Sequence, residues 1–367
     1  MATGLTRSAI AGLVGELEGL GLVSEGPSGS DGRPGRPSPV VRIEARSVGA
    51  LAIEIFVDEI GASIVALDGS VLCSVRHERP RDRVTVDSTI ADIVTLLDQL
   101  GERAASKGVD RLVGCGVSVP GLVRRLDGVV VAAPNLGWVD VALADAIAAV
   151  LDDDLPVSVG NDADLGALAE SRFGAGVDSD QMVFVSGEVG VGGGLVSAGH
   201  PIVGTHGFAG EIGHLPVNPD GRRCRCGSVG CWETEVGERA LLRRAGLDPD
   251  GGRAAVDDLI VRAEVAEPAV IGALATEARW LAIGIAGLIN VLDPDLVVLG
   301  GLFARILPVM GSALDEELAS RQYRAVERDV AVVGAALGTR AVTVGAAELA
   351  FGALLADPAR VMSDITR

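Results

Sequence analysis

The sequence is poor in aromatic residues, since phenylalanine, tryptophan and tyrosine together make up 3% of its 367 residues. Its core must therefore be built mainly from valine, leucine, isoleucine and alanine. With 48% hydrophobic residues, the chain is long and apolar enough for two or more globular domains. No run of 18 apolar residues occurs and the first residues show no secretory pattern, so we expect a cytoplasmic protein that does not enter a membrane.

Positive charge is also in short supply, and the formal net charge is -19. A chain this acidic repels nucleic acid as a whole, so any contact with DNA must come from a local element. Residues 1–46 do not share this negative charge, because five arginines there balance five acidic residues.

Cysteine is the third scarce residue, with five copies. Cys73 and Cys115 stand alone in apolar, strand-like runs, and we predict that both are small buried hydrophobes. The other three fall within eight residues, in the stretch CRCGSVGC over residues 224–231. In a protein expected in the cytoplasm, disulfide bonds are disfavoured.

The clustered cysteines have a histidine ten residues before them and glycines between them. Thiolate and imidazole are the ligands that tetrahedral Zn²⁺ prefers, and glycine lets a backbone turn tightly around an ion. The pattern predicts a structural zinc ion; a reduced, metal-free loop and a redox pair are the alternatives. The predicted ligands are His214, Cys224, Cys226 and Cys231.

Two glutamates flank the predicted zinc site. Glu211 lies three residues before His214, and Glu233 two residues after Cys231. If one ring nitrogen of His214 binds zinc, the other keeps a fixed tautomer and is available to a ligand. Two carboxylates and an imidazole are suitable hydrogen-bond partners for a polyol such as a sugar. The alternative is a pair of surface carboxylates beside a structural histidine.

From about residue 47, short β runs alternate with helical segments, which is typical of an α/β protein. Similar β-rich stretches begin near residues 50 and 183. This weak internal repeat favours two related lobes. Before residue 47, apolar residues at helical spacing predict a helix over residues 6–20 that ends at Gly21. Two short apolar runs around a loop of Gly, Pro, Ser and Arg then predict a β-hairpin with a basic tip.

The stretch GEIGHLPVNPDGRRCRCGSVGCWE, residues 210–233, resembles the signature of the ROK family (repressors, open reading frames and sugar kinases). Further similar motifs occur in order within residues 47–367: GVSVPGLV (116–123), APNLGWVDV (133–141), VGNDADLGALAE (159–170), GVGGGLVSAG (190–199) and LDPDLVVLGG (292–301). The resemblance implies a two-lobed, actin-like or ribonuclease-H-like sugar-kinase fold with a sugar site in the cleft. By the same likeness, the residues that line the sugar site are Asn161, Asp162, Glu211, His214 and Glu233.

The parts that a ROK kinase uses to hold ATP are altered. Family kinases have a loop of the type Asp-x-Gly-Gly-Thr after the first strand, but residues 56–58 read Phe-Val-Asp. Their second phosphate loop, Gly-Thr-Gly-x-Gly-Gly-Gly, reads EVGVGGG over residues 188–194, so a hydroxyl is lost and a carboxylate gained. We therefore expect no ATP and no enzymatic activity. The alternative is a ROK sugar kinase in which Asp162, which matches the kinases' general base, deprotonates a hexose hydroxyl.

The first 46 residues resemble the second half of the winged helix-turn-helix of family repressors. The predicted helix would be the recognition helix, and the loop 26–40 with its GRPGRP stretch would be the wing, suited to a narrow minor groove. An ordinary packing helix and a solvated linker are the alternatives. Because only Met1–Leu5 precede the helix, we expect the DNA-binding element to be partial. The predicted DNA contacts are Thr6, Arg7, Ser8, Arg33 and Arg36.

The sequence thus predicts a sugar-responsive transcriptional regulator, most simply a repressor, that binds operator DNA and a monosaccharide or sugar phosphate as a homodimer or homotetramer. Residues 1–46 would form the partial winged helix-turn-helix and residues 47–165 the N-terminal lobe. Residues 166–367 would form the C-terminal lobe with the zinc motif, its last helix packing back on the first lobe. A remnant that has lost both kinase and DNA-binding functions is a further alternative.

Overall fold

A computed structural model describes residues 5–26, 40–80, 84–104, 111–151, 155–321 and 330–365. The described strands are β1 (Val23–Gly26), β2 (Val40–Ile43), β3 (Gly49–Ile55), β4 (Glu59–Ala66), β5 (Val71–Glu78), β6 (Leu112–Val119), β7 (Leu122–Arg124), β8 (Val129–Ala133), β9 (Trp138–Ala142), β10 (Val157–Asn161), β11 (Gln181–Gly187), β12 (Val191–Ser197), β13 (His200–Pro201), β14 (Leu296–Gly300) and β15 (Ala331–Gly334). The described helices are α1 (Arg7–Gly19), α2 (Val86–Ala104), α3 (Leu143–Ala148), α4 (Asp162–Phe173), α5 (Trp232–Val236), α6 (Glu238–Arg244), α7 (Gly252–Glu264), α8 (Pro268–Leu292), α9 (Gly301–Ala319), α10 (Ala341–Ala356) and α11 (Pro358–Asp364).

Two five-stranded sheets share one topology, which confirms the predicted α/β organisation and the predicted internal repeat. In the first sheet the order is β10-β6-β3-β4-β5, with β3, β6 and β10 parallel and the other two antiparallel to their neighbours. The second sheet has the corresponding order β15-β14-β11-β12-β13, again with three parallel strands followed by two antiparallel ones. A smaller antiparallel sheet, β7-β8-β9, follows β6.

Aliphatic side chains form the core of each sheet, as the scarcity of aromatic residues predicts. Cys115 on β6 is fully buried, as expected. The prediction for Cys73 was wrong, because this residue is only half-buried. It lies on β5, which among the described strands ends its sheet, and it packs at the margin of the core of that sheet.

The N-terminal region forms a helix and a hairpin, as predicted. Thr6 caps α1 by accepting a hydrogen bond from the backbone N–H of Ala9 (3.3 Å), and Gly21 ends the helix with φ at 73°. Strands β1 and β2 pair antiparallel. The tip of the hairpin, residues 27–39, lies outside the described residues, and with it Arg33 and Arg36.

The C-terminal helix α10 packs against β6 of the first sheet and against α4, and the backbones meet at two glycines. A Cβ atom on Gly116 of β6 would lie 1.7 Å from the carbonyl oxygen of Ala346, and one on Gly345 of α10 would lie 1.9 Å from that of Leu165. No side chain fits at either position, so glycine is required for this close approach. The contact joins the C-terminal end of the chain to the helix that follows β10.

Two described segments are long and apolar enough to cross a membrane, namely α8 and the stretch Gly338–Ala356 that contains α10. In each, 56% of the most apolar window is buried against the rest of the chain. Their composition is therefore explained by packing in the interior, where an apolar face has protein neighbours on several sides.

Candidate functional site

A cavity of about 470 Å³ lies where residues from both sheets converge. Its wall includes the β3–β4 turn, the segment after β6, the β10–α4 junction, the β11–β12 turn and the segment from Gly210 to Glu233. All five residues predicted to contact a sugar line this single cavity: Asn161, Asp162, Glu211, His214 and Glu233.

The β10–α4 junction positions two of these side chains. Asn161 caps α4, since its Oδ1 accepts hydrogen bonds from the backbone N–H groups of Ala163 (2.9 Å) and Asp164 (3.1 Å). Its Nδ2 also donates to the carbonyl oxygen of Gly121 (3.1 Å), so one N–H is left for a ligand. Asp162 uses one oxygen to accept from Ala163, and its other oxygen has no hydrogen bond from any described residue. Asp162 is thus the better placed of the two to bind a hydroxyl.

Carboxylates are crowded in the cavity, and this changes their protonation. Burial raises the pKa of Asp162 to about 7, and the negative charge of Glu211 adds to the effect. Burial also raises the pKa values of Glu211 and Glu188, and repulsion from Asp162 raises that of Glu188 further. Near neutral pH Asp162 and Glu188 can both donate and accept hydrogen bonds, which suits a polyol, while the remaining negative charge opposes a polyphosphate.

His214 stands between the cavity and the cysteine cluster. Its Nδ1 lies 3.7 Å from Sγ of Cys224 and 3.9 Å from Oε1 of Glu233. Its Nε2 lies 3.8 Å from Oε2 of Glu211. The ring therefore directs one nitrogen to the thiols and the other to the carboxylate side of the cavity, as expected for a histidine shared between a metal and a polar ligand.

The ligand atoms of His214, Cys224, Cys226 and Cys231 all lie within 4.8 Å of one another. The sulfurs of Cys226 and Cys231 are 3.6 Å apart. A tetrahedron with Zn–S bonds of about 2.3 Å has edges of about 3.8 Å, so the spacing of Cys226 and Cys231 fits a zinc ion. The Cys224 thiol also donates to Oε1 of Glu233 (2.7 Å), and burial followed by this bond raises the pKa of the thiol. Metal binding at such a site replaces the thiol protons.

The two turns that the family resemblance matches to the kinases' phosphate loops, β3–β4 and β11–β12, both line the cavity. Phe56, Val57 and Asp58 form the β3–β4 turn and line the cavity. Glu54, close to the position of the kinases' aspartate, is completely buried and pairs with Arg76 on β5. Burial raises its pKa although Arg76 opposes the change. Glu54 is therefore part of the core of the sheet and does not line the cavity.

Sequence reasoning did not select two polar residues that the structure adds to the wall. Asn135, at the β8–β9 turn, and Arg225, between the cysteines, line the cavity, and Arg225 donates to Oδ1 of Asn135 (3.0 Å). Asn135 belongs to the motif APNLGWVDV, which was the available signal. Arg225 gave no signal because its partner is 90 residues away in sequence.

The described residues among the predicted DNA contacts do not line this cavity. Thr6, Arg7 and Ser8 are exposed at the start of α1, where the hydroxyls of Thr6 and Ser8 lie 3.2 Å apart. A complete winged helix-turn-helix is not present in the described residues, which contribute one helix and one strand pair here.

Comparisons with known proteins give a consistent result. The sequence model of the ROK family matches residues 50–353. The xylose repressor of Bacillus subtilis (strain 168) is 30% identical over 346 residues, which is 94% of this chain and 87% of the repressor.

Two solved structures are similar in fold. A ROK family transcriptional regulator described as a homologue of the E. coli MLC protein has a TM-score of 0.79 at 25% identity, covering 98% of this chain and 92% of its own. A ROK family glucokinase from Streptomyces griseus, solved with glucose and AMPPNP, has a TM-score of 0.70 at 27% identity and covers 82% of this chain and 98% of its own.

Proposed function

Because the chain belongs to the ROK family, we propose that it is a transcriptional regulator, most simply a repressor, whose activity responds to a sugar bound in the cavity described above. The observation that carries the proposal is the composition of that cavity. It keeps the polyol partners Asp162, Glu211, His214 and Glu233, while Phe56–Asp58 and Glu188 stand where a kinase holds phosphates. The site is equipped to bind a sugar but poorly equipped to bind ATP.

The extent of the similarity supports a regulator. The match to the glucokinase covers 98% of the glucokinase but only 82% of this chain. The match to the regulator covers 98% of this chain. The family model begins at residue 50, so α1 and the β1–β2 hairpin lie outside it. We assign residues 1–46 to DNA binding, residues 47–165 to the first lobe and residues 166–367 to the second.

The proposed mechanism couples sugar binding to the angle between the lobes. Asp162 stands at the start of α4, whereas Glu211, His214 and Glu233 belong to the segment beside the second sheet. A sugar held by both groups favours the lobe angle that best satisfies its hydroxyls. In a dimer, a change in that angle alters the spacing of two DNA-binding elements. A zinc ion on His214 and the three cysteines would fix the ring of His214 and the loop before Glu233.

The test is a thermal-shift screen of monosaccharides and sugar phosphates with and without Mg-ATP, followed by DNA binding with any sugar that stabilises the protein. We expect one sugar to raise the melting temperature without ATP. The bound sugar adds RT ln(1 + [L]/Kd) to the free energy of unfolding, about 2.7 kcal/mol at 100 times Kd. The same sugar should change the affinity for DNA from upstream of the protein's own coding sequence. A sugar that binds tightly but leaves DNA affinity unchanged would contradict the proposal that the protein is a sugar-responsive regulator.

A sugar kinase is the second candidate, and two observations favour it. Asp162 keeps its position at the start of α4 with a pKa near 7, which suits a general base. The glucokinase also shares the fold of most of the chain. Release of ADP that depends on a sugar, and its loss in Asp162→Asn, would establish the kinase; we expect no such release.

The basic hairpin tip provides a further prediction. If it is the wing, replacing Arg33 and Arg36 by alanine removes two phosphate contacts, so DNA affinity falls and the slope of log K against log salt becomes shallower by about 2. Electrophoretic mobility shifts over a salt series measure both quantities. Replacing Arg262 on α7, which is half-buried, and Arg360 on α11, which is exposed, serves as the control. An unaltered slope in the tip variant would mean that the loop does not touch DNA.

A further inference from the structure

A second cavity, of about 500 Å³, adjoins the proposed sugar cavity and is lined by arginine. Its wall is formed by the cysteine loop, by α5 and α6, and by Asn135 and Val189. Glu233 is the single carboxylate among the described residues of this wall. The five arginines that line it are Arg222, Arg223, Arg225, Arg239 and Arg243. This concentration of positive charge occurs in a protein with a net charge of -19.

Most of these guanidinium groups lack an acidic partner. Arg239 pairs with Asp250 (2.7 Å), although its Nε is buried without a hydrogen bond, and Arg225 donates to the neutral amide of Asn135. Within the described part of the chain, Arg222, Arg223 and Arg243 have no hydrogen bond or ion pair through their side chains.

The arginines also repel one another. Burial, together with the neighbouring charges of Arg222 and Arg244, lowers the pKa of Arg243, although the negative charge of Glu235 opposes the change. Like charges gathered around one concave surface raise the energy of the empty site, and a bound anion relieves that repulsion. Guanidinium groups also match the geometry of phosphate and carboxylate oxygens, which they bind through paired N–H donors.

The two cavities share part of their lining, namely Asn135, Val189, Arg225 and Glu233. A ligand that contacts Glu233 from the sugar cavity is therefore next to the arginine-lined cavity. One cavity presents carboxylates and an imidazole to hydroxyls, and the other presents guanidinium groups. The combination is complementary to a ligand that is a polyol at one end and an anion at the other.

We propose that the arginine-lined cavity is a subsite for an anionic substituent, a phosphate or a carboxylate, carried by the sugar that the regulator senses. The proposal rests on the proposed function, because the sugar ring must occupy the neighbouring cavity. The effector class is then phosphorylated or acidic sugars, and a neutral monosaccharide is the weaker ligand.

Calorimetric titration of the full chain with matched pairs of ligands tests this assignment. The pairs are xylose, glucose, mannose and N-acetylglucosamine against their phosphates, with glucuronate added to distinguish a carboxylate from a phosphate. We expect one anionic sugar to bind at least about tenfold more tightly than its neutral partner. In the double variant Arg222→Gln with Arg243→Gln that preference should fall to about threefold or less, with the affinity for the neutral sugar unchanged. The matched control is Arg262→Gln with Arg360→Gln, which removes two positive charges from helices that line neither cavity.

Each contrary result has a distinct meaning. If a neutral sugar binds and alters DNA affinity while no anionic partner binds more tightly, the proposed anion subsite is contradicted. The proposal of a sugar-responsive regulator is then still supported. The subsite is equally wrong if the preference survives in the Arg222 and Arg243 variant. If no sugar of either kind binds, the proposed sugar site fails and the subsite fails with it.

Discussion

Replacing Gly345 by alanine is expected to destabilise the protein strongly, whereas the same change at Gly352, two turns further along α10, should not. A Cβ on Gly345 would lie 1.9 Å from the carbonyl oxygen of Leu165 and 2.4 Å from its carbonyl carbon, both backbone atoms of α4. Backbone atoms cannot rotate away, so the helices must separate. Overpacking of this kind costs about 1–3 kcal/mol and sometimes more. Denaturant unfolding of the two variants and the natural protein measures the difference.

Gly352 is the matched control because it lies in the same helix with no atom within 4 Å of its added Cβ. There, alanine should stabilise the helix by up to about 1 kcal/mol, since it loses less backbone entropy than glycine. The Gly345 variant should also bind sugar more weakly, because α4 begins at Asp162 and any shift of this helix moves that carboxyl group. Equal stability of the two variants would show that α10 does not touch α4 as described.

Local patterns in the sequence predicted local structure well. The helix at residues 6–20 followed from apolar spacing, and its end at Gly21 from the freedom of glycine to adopt positive φ. The cysteine cluster followed from spacing as well, because four ligands within 18 residues can close on one ion without help from distant segments. The sequence indicated the two lobes only through a weak internal repeat, yet the strand orders of the two sheets correspond completely.

Some features that join distant segments left no pattern in the sequence. Glu54 lies close to the position of the kinases' phosphate-loop aspartate, but its carboxylate pairs with Arg76, from which two turns and a strand separate it. The arginine-lined cavity combines the cysteine loop with α6 and with Asn135, and no spacing rule connects these. Likewise, Gly345 and Leu165 are ordinary residues in the sequence, and only the packing of α10 on α4 gives them a role.

Replacing Cys226 by serine is expected to release the zinc ion and weaken sugar binding together. Serine is a poor zinc ligand, and Cys226 is exposed, so the substitution itself disturbs no core. Without the ion, Nδ1 of His214 and the loop before Glu233 lose their common anchor, and both side chains line the sugar cavity. We expect zinc to fall from one per chain to near zero, and sugar affinity to fall about tenfold or more, a free-energy change of at least about 1.4 kcal/mol. Elemental analysis and calorimetric titration on the same sample measure the two quantities.

Two further variants separate the metal from the cavity wall. Cys226 itself lines the cavity, whereas Cys231 is fully buried outside it, so Cys231→Ser should reproduce both losses if they come from the metal. Cys73→Ser, on β5, should keep a full complement of zinc. Zinc retained in both cluster variants would overturn the ligand assignment. Zinc lost with sugar affinity intact would mean instead that the ion stabilises a loop on which the sugar does not depend, and that His214 is positioned by Glu211 and Glu233 alone.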